Sequence, residues 1–155
     1  MNPATLDAIM RIMDAAFDPQ WGEAWTRAQI ESALQLANTH ATLIGADGGQ
    51  APLGEDAAGF AVVRAAPGEE EILLIAVLPT ERRRGLGRQI IARLAEEAKQ
   101  RGSEKLFLEM RENNPARSLY EAMGFSPIGR RKDYYSLGDG TRMDAITFGL
   151  VLDVT

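Results

Sequence analysis

The chain has 155 residues, with 17 lysines and arginines against 22 aspartates and glutamates, one histidine and no cysteine, for a formal net charge of -5. A chain of this size buries about 70% of its unfolded surface, so one domain covering 1–155 needs no disulfide or metal to fold. The lack of cysteine excludes disulfides, thiolate zinc sites and a cysteinyl acyl-enzyme, and the acidic total disfavours nucleic acid, whose binding draws on many Lys/Arg–phosphate contacts.

Leu6, Ile9, Met10, Met13 and Phe17 recur at three- and four-residue steps behind Asn2 and Pro3, a helix-capping residue followed by a proline suited to the first helical position. The pattern predicts an amphipathic helix. A second helix is predicted from Thr26, whose hydroxyl pairs with Gln29 as a capping box, along the stripe Ile30, Ala33, Leu34 and Ala37 to about Asn38. The period then changes. Ala41 to Ala46, Ala58 to Ala65 and Glu71 to Leu78 read as antiparallel strands separated by Asp47-Gly48-Gly49 and Pro67-Gly68 turn signals. After a basic glycine-containing loop, Ile90, Ile91, Leu94, Ala95 and Ala98 mark a helix stopped by Gly102. A strand over Lys105 to Met110, a short helix over Pro115 to Met123, a strand over Phe125 to Arg130 and a last strand over Asp144 to Leu152 complete the order. The expected fold class is mixed α/β: a central, mostly antiparallel mixed sheet flanked by helices. The longest aliphatic run, Ile72 to Leu78, is too short to span a bilayer, and the amino terminus has no basic-then-apolar segment, so the expectation is a soluble, cytoplasmic protein without a membrane partner.

Chemistry concentrates in Ile75-Ala76-Val77-Leu78-Pro79-Thr80-Glu81-Arg82-Arg83-Arg84-Gly85-Leu86-Gly87-Arg88. Gly85 and Gly87 permit backbone conformations in which successive N–H groups converge on an anion at a helix start, where the helix dipole also favours negative charge. Four arginines in this stretch of a net-acidic chain add a local positive field. The plain alternative is a solvated basic turn before an ordinary helix cap. A dinucleotide fingerprint fails because Ile90 occupies the position of its third glycine, and no Lys-Ser/Thr pair follows to make a P-loop.

Arg82-Arg83-Arg84-Gly85-Leu86-Gly87 has the form R-x-x-G-x-G and resembles the acyl-CoA pyrophosphate loop of the GNAT N-acetyltransferases. Leu108-Glu109-Met110-Arg111, Asn113-Asn114, Leu119-Tyr120, Gly124-Phe125, Arg131-Lys132-Asp133-Tyr134-Tyr135 and Asp144-Ala145 resemble, in order, the RimI group of that family, which acetylates the amino-terminal alanine of a ribosomal protein. The resemblance covers nearly the whole chain. It implies acetyl-CoA as cosubstrate, no metal, and a protein or peptide amino terminus, that of a basic small-subunit ribosomal protein, as acceptor. It also implies that backbone groups of Ile75, Ala76 and Val77 hold the acetyl carbonyl and pantetheine arm. By the same resemblance Arg83, Arg84, Gly85, Leu86, Gly87 and Arg88 line the pyrophosphate, Asn114 or Asn113 contacts the cofactor, Glu109 is the general base and Tyr120 the general acid. The interval from Glu109 to Tyr120 is one residue shorter than the group normally shows, and Pro115 suits the first turn of the helix bearing Tyr120.

Those residue types suit direct transfer. A protein α-amine with a pKa near 7.8 is roughly one-third neutral at pH 7.5, whereas a lysine amine is only about 0.1% neutral. One carboxylate is then enough to take the surplus proton, a contribution of about 10²–10⁴-fold. A tyrosine hydroxyl can protonate the departing thiolate, and the Val77 N–H is the candidate oxyanion donor. Transfer to a small amine or a lysine side chain, or a non-catalytic acyl-CoA-binding module, are the alternative readings.

Each residue also has a plainer explanation. Glu109 alternates with apolar neighbours and can simply face water; Tyr120 can be a core aromatic. Glu69, Glu70 and Glu71 read as a solvated acidic strand start, with Glu71 as reserve base. His40 follows a helix end and is assigned nothing. Trp21 and Trp25 either line an acceptor groove or cover the core. Tyr134 and Tyr135 either contact the acceptor or pair across strands.

Overall fold

The computed structural model describes residues 3–18, 23–49, 57–82 and 85–152. In chain order these form α1 (Pro3–Ala16), α2 (Arg27–Leu34), β1 (Thr39–Gly45), β2 (Ala57–Ala66), β3 (Glu69–Val77), a 3-10 turn at Pro79–Glu81, α3 (Leu86–Gln100), β4 (Lys105–Arg111), α4 (Arg117–Ala122), β5 (Ser126–Ser136) and β6 (Arg142–Val151). The expected element order is the observed one. Thr26 caps α2 as a full capping box: its Oγ1 accepts from Gln29 N at 3.2 Å and its own N–H donates to Gln29 Oε1 at 2.8 Å. The helix ends at Leu34, short of the expected Asn38. The short helix starts at Arg117, after a turn containing Pro115, and β5 runs six residues beyond the expected Arg130. Asn2, Trp21, Arg83 and Arg84 lie outside the described residues.

The six strands form one sheet in the order β1-β2-β3-β4-β6-β5. Every neighbouring pair is antiparallel except β3 and β4, which α3 connects as a crossover and which therefore run parallel. One sheet face packs on α3 and α4: Ile90, Ile91 and Leu94 meet Leu106, Leu108, Met110 and Phe148. The other packs on α1 and α2, with Ile9, Ile12, Met13 and Ile30 against Phe60, Val62 and Leu74. Burying both faces of the central strands supplies the main folding drive, at about 25 cal/mol per Å² of apolar surface. Among the described residues no helix is long and apolar enough to cross a membrane.

The acidic strand start departs from its expected solvated role. Glu70 is 1% exposed. Its carboxylate accepts from Arg101 Nε at 2.8 Å, Arg101 NH2 at 2.6 Å and Ser103 Oγ at 2.8 Å. The partners lie just past the C-terminus of α3, so this cluster ties that helix to the start of β3. Burial pushes the Glu70 carboxyl up, but the hydrogen bonds from Arg101 and Ser103, with the positive charge of Arg101 and His40, outweigh it and hold the group below the usual carboxylate range. A carboxylate with a lowered folded-state pKa stabilises the fold above its unfolded pKa, and that contribution is lost as pH falls through the folded value. Glu70→Ala should therefore lower unfolding stability by about 2–4 kcal/mol at neutral pH. In urea titrations from pH 7 downward, the gap between wild type and variant should close as the wild-type carboxyl protonates.

Candidate active site

The sheet is not continuous where β3 meets β4. The two strands pair only from Glu69 opposite Lys105 to Ile72 opposite Leu108. Beyond that point β3 continues to Val77 on β2, and β4 continues to Arg111 on β6. The strands thus diverge, leaving a gap at their C-terminal ends. Antiparallel alternation fixes which backbone groups face it. Leu78 N donates to Ala58 O at 2.7 Å, so the polar groups of Ala76 also point at β2 while those of Ile75 and Val77 point away from it, into the gap. Correspondingly, a Cβ on Gly59 of β2 would lie 3.0 Å from Ala76 O. On the other side, Glu112 N donates to Asp144 O at 3.0 Å, which by the same alternation turns the backbone of Glu109 and Arg111 toward the gap. Of the expected trio Ile75, Ala76 and Val77, the outer two turn their peptide groups into the gap and the middle one turns its own to the β2 ladder.

At the mouth of the gap stands the N-terminus of α3. Gly85 is its N-cap in the left-handed region at φ 76, and Gln89 N makes a helical bond to Gly85 O at 3.0 Å. With no capping side chain, the N–H groups of the first turn, Leu86, Gly87 and Arg88, lack intrahelical partners. The Leu86 side chain is core, 2% exposed, so only its backbone faces outward. Gly87 is confined for a different reason: a Cβ there would sit 3.1 Å from Leu119 Cδ2 of α4. Arg88 is exposed, and Arg82 is tied back to α1 by a bond from NH2 to Ala16 O at 3.2 Å.

Glu109 and Tyr120 approach from opposite sides of the sheet. Leu106, Leu108 and Met110 point into the core under α3, so the alternating Glu109 points to the other face. Its Oε2 lies 3.1 Å from Arg131 Nε. Tyr120 is 4% exposed in the core beneath α3 and meets Phe125 edge-on at 5.6 Å between ring centroids. Burial, with a smaller contribution from the negative charge of Glu23, raises its phenol far above the ordinary tyrosine value, so it stays protonated throughout the neutral range. Glu23 sits on the far face, so its influence on Tyr120 crosses the sheet.

Both asparagines of the β4–α4 turn carry structural bonds. Asn114 Oδ1 accepts from Ala116 N at 2.9 Å, and Asn113 Oδ1 accepts from Arg111 NH1 at 2.6 Å. Glu71, the reserve base, pairs with Arg64 across β2 and β3. His40 is exposed on β1 rather than at a helix end. Trp25 packs against the core under α1 and α2.

Sequence reasoning missed Glu23 and Arg111. Arg111 is 8% exposed, two residues along the same face from Glu109, and its Nε reaches Glu23 Oε1 at 3.0 Å. This pair fastens the segment between α1 and α2 to the end of β4. Burial, then Glu23 and Glu109, also push the Tyr135 phenol up to about 12, which draws Tyr135 of β5 into the same cluster. The sequence holds no signal for the pairing, because Arg111 continues the Glu109 side of the strand's alternation and Glu23 lies 88 residues away.

The chain matches the acetyltransferase (GNAT) family over residues 6–125 and belongs to it. The GNAT family uses acetyl-CoA. Two curated relatives are ribosomal protein bS18-alanine N-acetyltransferases. That of Haemophilus influenzae is 37% identical over 94 residues, 61% of this chain and 64% of its own; that of Escherichia coli K12 is 39% identical over 98 residues, 63% and 66%. The matched stretch thus spans just under two thirds of these relatives' own length. The crystal structure of the ribosomal-protein-S18-alanine N-acetyltransferase from Escherichia coli superposes with a TM-score of 0.81 at 30% identity, covering 100% of this chain and 92% of that one.

At Gly85 the space around an added Cβ is open, so the cost of substitution is conformational only. Gly85→Ala should destabilise the fold by about 1–2 kcal/mol in thermal or denaturant unfolding, and Gly85→Asn by less, because asparagine tolerates the left-handed region.

Proposed function

We propose that this chain, as a single N-acetyltransferase domain, transfers acetyl from acetyl-CoA to the α-amine of a protein, the amino-terminal alanine of a small-subunit ribosomal protein. The observation that carries the reading is the gap between β3 and β4, with a carboxylate on one sheet face and a protonated buried phenol on the other. The names of the relatives support the acceptor, and a basic acceptor suits a chain of net charge -5. A ribosomal acceptor places the reaction in the cytoplasm.

The residues present fit acetyl-CoA. The outward backbone groups of Ile75 and Val77 suit a peptide-like pantetheine arm lying along β3, as a further strand would. The uncapped N–H groups of Leu86, Gly87 and Arg88, with Gly85 allowing the backbone to turn, suit its pyrophosphate. We assign Arg83 and Arg84 to the same phosphates on charge and position in the sequence, and Asn114 to the cofactor through its free amide nitrogen end, its oxygen being used by Ala116. When bound, the cosubstrate supplies a thioester carbonyl open to attack by a neutral amine.

The protein's part is proton handling and orientation. Glu109 takes the proton that the α-amine loses on attack, directly or through a water. The Val77 N–H, aimed into the gap, stabilises the carbonyl oxygen as charge develops there. Tyr120, kept protonated by burial, gives its proton to the leaving sulfur. No covalent acyl-enzyme is needed, so both substrates are held together.

The test is thiol release from acetyl-CoA with peptides differing in first residue and in α-amine blocking. Activity should be highest with amino-terminal alanine and vanish on blocking; transfer that survives blocking would mean a lysine acceptor. Glu109→Gln should lower turnover by about 10²–10⁴-fold. Tyr120→Phe, which keeps the ring in place, should slow turnover at least about tenfold with acetyl-CoA affinity retained in calorimetry; loss of affinity alone would mark Tyr120 as packing.

A further inference from the structure

We propose that Arg131 is a positioning residue for Glu109, held in place by the bulge in β5 that Asp144 closes. The proposal rests on Glu109 being the proton acceptor. Its starting point is the course of β5. Arg131 is opposite Ala145 and Tyr135 opposite Met143, so Lys132, Asp133 and Tyr134 together face the single residue Asp144. Asp133 takes φ 54, the one positive φ outside glycine among the described residues. In a regular strand Arg131 and Tyr134, three apart, point to opposite faces. The bulge changes that phase and brings the Tyr134 ring under the Arg131 guanidinium, with Cζ 4.9 Å from the ring centroid.

Asp144 holds this geometry from β6. Its Oδ1 accepts the Asp133 N–H at 2.8 Å, and its Oδ2 accepts from Arg130 NH1 at 2.5 Å. The Tyr134 ring is in turn buttressed edge-on by Tyr135 at 5.2 Å. From that shelf Arg131 reaches across β6 to β4, where its Nε lies 3.1 Å from Glu109 Oε2. The β6 residue in its row is Ala145, too small to block the span.

The consequence is orientation. Arg131 is 62% exposed, and an ion pair of that exposure adds little to stability. Yet it engages one oxygen of Glu109 and leaves Oε1 as the proton-accepting atom, aimed by a guanidinium that is itself stacked. An unanchored carboxylate samples several rotamers, of which few suit the acceptor amine, and small errors of placement are expensive in rate.

The experiment measures turnover of the full chain with acetyl-CoA and an alanine-initiated peptide for Arg131→Ala, Arg131→Lys and Asp144→Ala, with the arginine changes repeated in a Glu109→Gln background. Arg131→Ala should lower kcat about tenfold while melting temperature and the KM for acetyl-CoA stay put. Arg131→Lys should recover part of the loss, and Asp144→Ala should reproduce part of it. In the Glu109→Gln background the arginine changes should cost nothing further. Unchanged or faster turnover in Arg131→Ala, or an equal loss in both backgrounds, overturns the proposal while leaving Glu109 as base intact. Full turnover in Glu109→Gln alone overturns the base assignment and this inference with it.

Discussion

The site depends on an interrupted hydrogen-bond ladder. A parallel pair joined by a helix lies in the middle of a sheet, where both strands have second neighbours to pair with, so β3 and β4 can part after Ile72 and Leu108 without fraying. Each keeps its outer ladder, to β2 and to β6, and the sheet stays whole on either side. What the divergence exposes is backbone: the polar groups of Ile75 and Val77 on one edge and of Glu109 and Arg111 on the other. A buried peptide group without a partner is costly, which is why the proposed function fills this gap with a guest that carries its own amides. The helix that makes the parallel pairing possible also starts at the open end of the gap, so one crossover supplies both the gap and the uncapped helix N-terminus at its mouth.

The α1 and α2 side of the gap is organised by opposite charges. Glu109 is paired with Arg131 of β5, and Glu23 with Arg111 of β4. The two pairs bring the segment before α2 and the far strand β5 to the same stretch of β4, although β5 is two positions away in the sheet. Each carboxylate is paired with a residue distant in sequence, and the phenols beside them stay protonated first because they are buried, with the negative charge of Glu23, and of Glu109 at Tyr135, adding to the effect.

Local rules carried much of the fold. The Thr26–Gln29 box, the glycine stops and the alternation of β4 depend on neighbours within a few residues, and they gave the element order and the face on which Glu109 lies. The signals that failed were those whose partner is remote. Glu70 looked like one of three solvated carboxylates because nothing near it marks Arg101, 31 residues on, as its partner. The phase that sets the peptide groups of Ala76 apart from those of Ile75 and Val77 was equally out of reach, because the opposing strand fixes it. The Glu23–Arg111 pair spans 88 residues and was invisible for the same reason. The bulge in β5 carried a clue in Asp133, since aspartate tolerates positive φ, but its consequence for Arg131 appears only with Asp144 opposite.

Two arginine–glutamate pairs on the same sheet show how burial divides the work. Glu70 is sealed at the start of β3 and accepts three hydrogen bonds; removing its partners would strand a charge in the core, so the pair is bound up with stability. Glu109 lies past the point where β3 and β4 part, 18% exposed, facing an arginine that is mostly in solvent. Water competes there, and the attraction is worth little as cohesion. If Glu109 is the base, as proposed, this looser hold suits it: a buried cage of three donors would keep a carboxylate ionised and inert, whereas one stacked guanidinium near one oxygen leaves the other open. The rigid pair lies where the strands are joined and the yielding one where they separate.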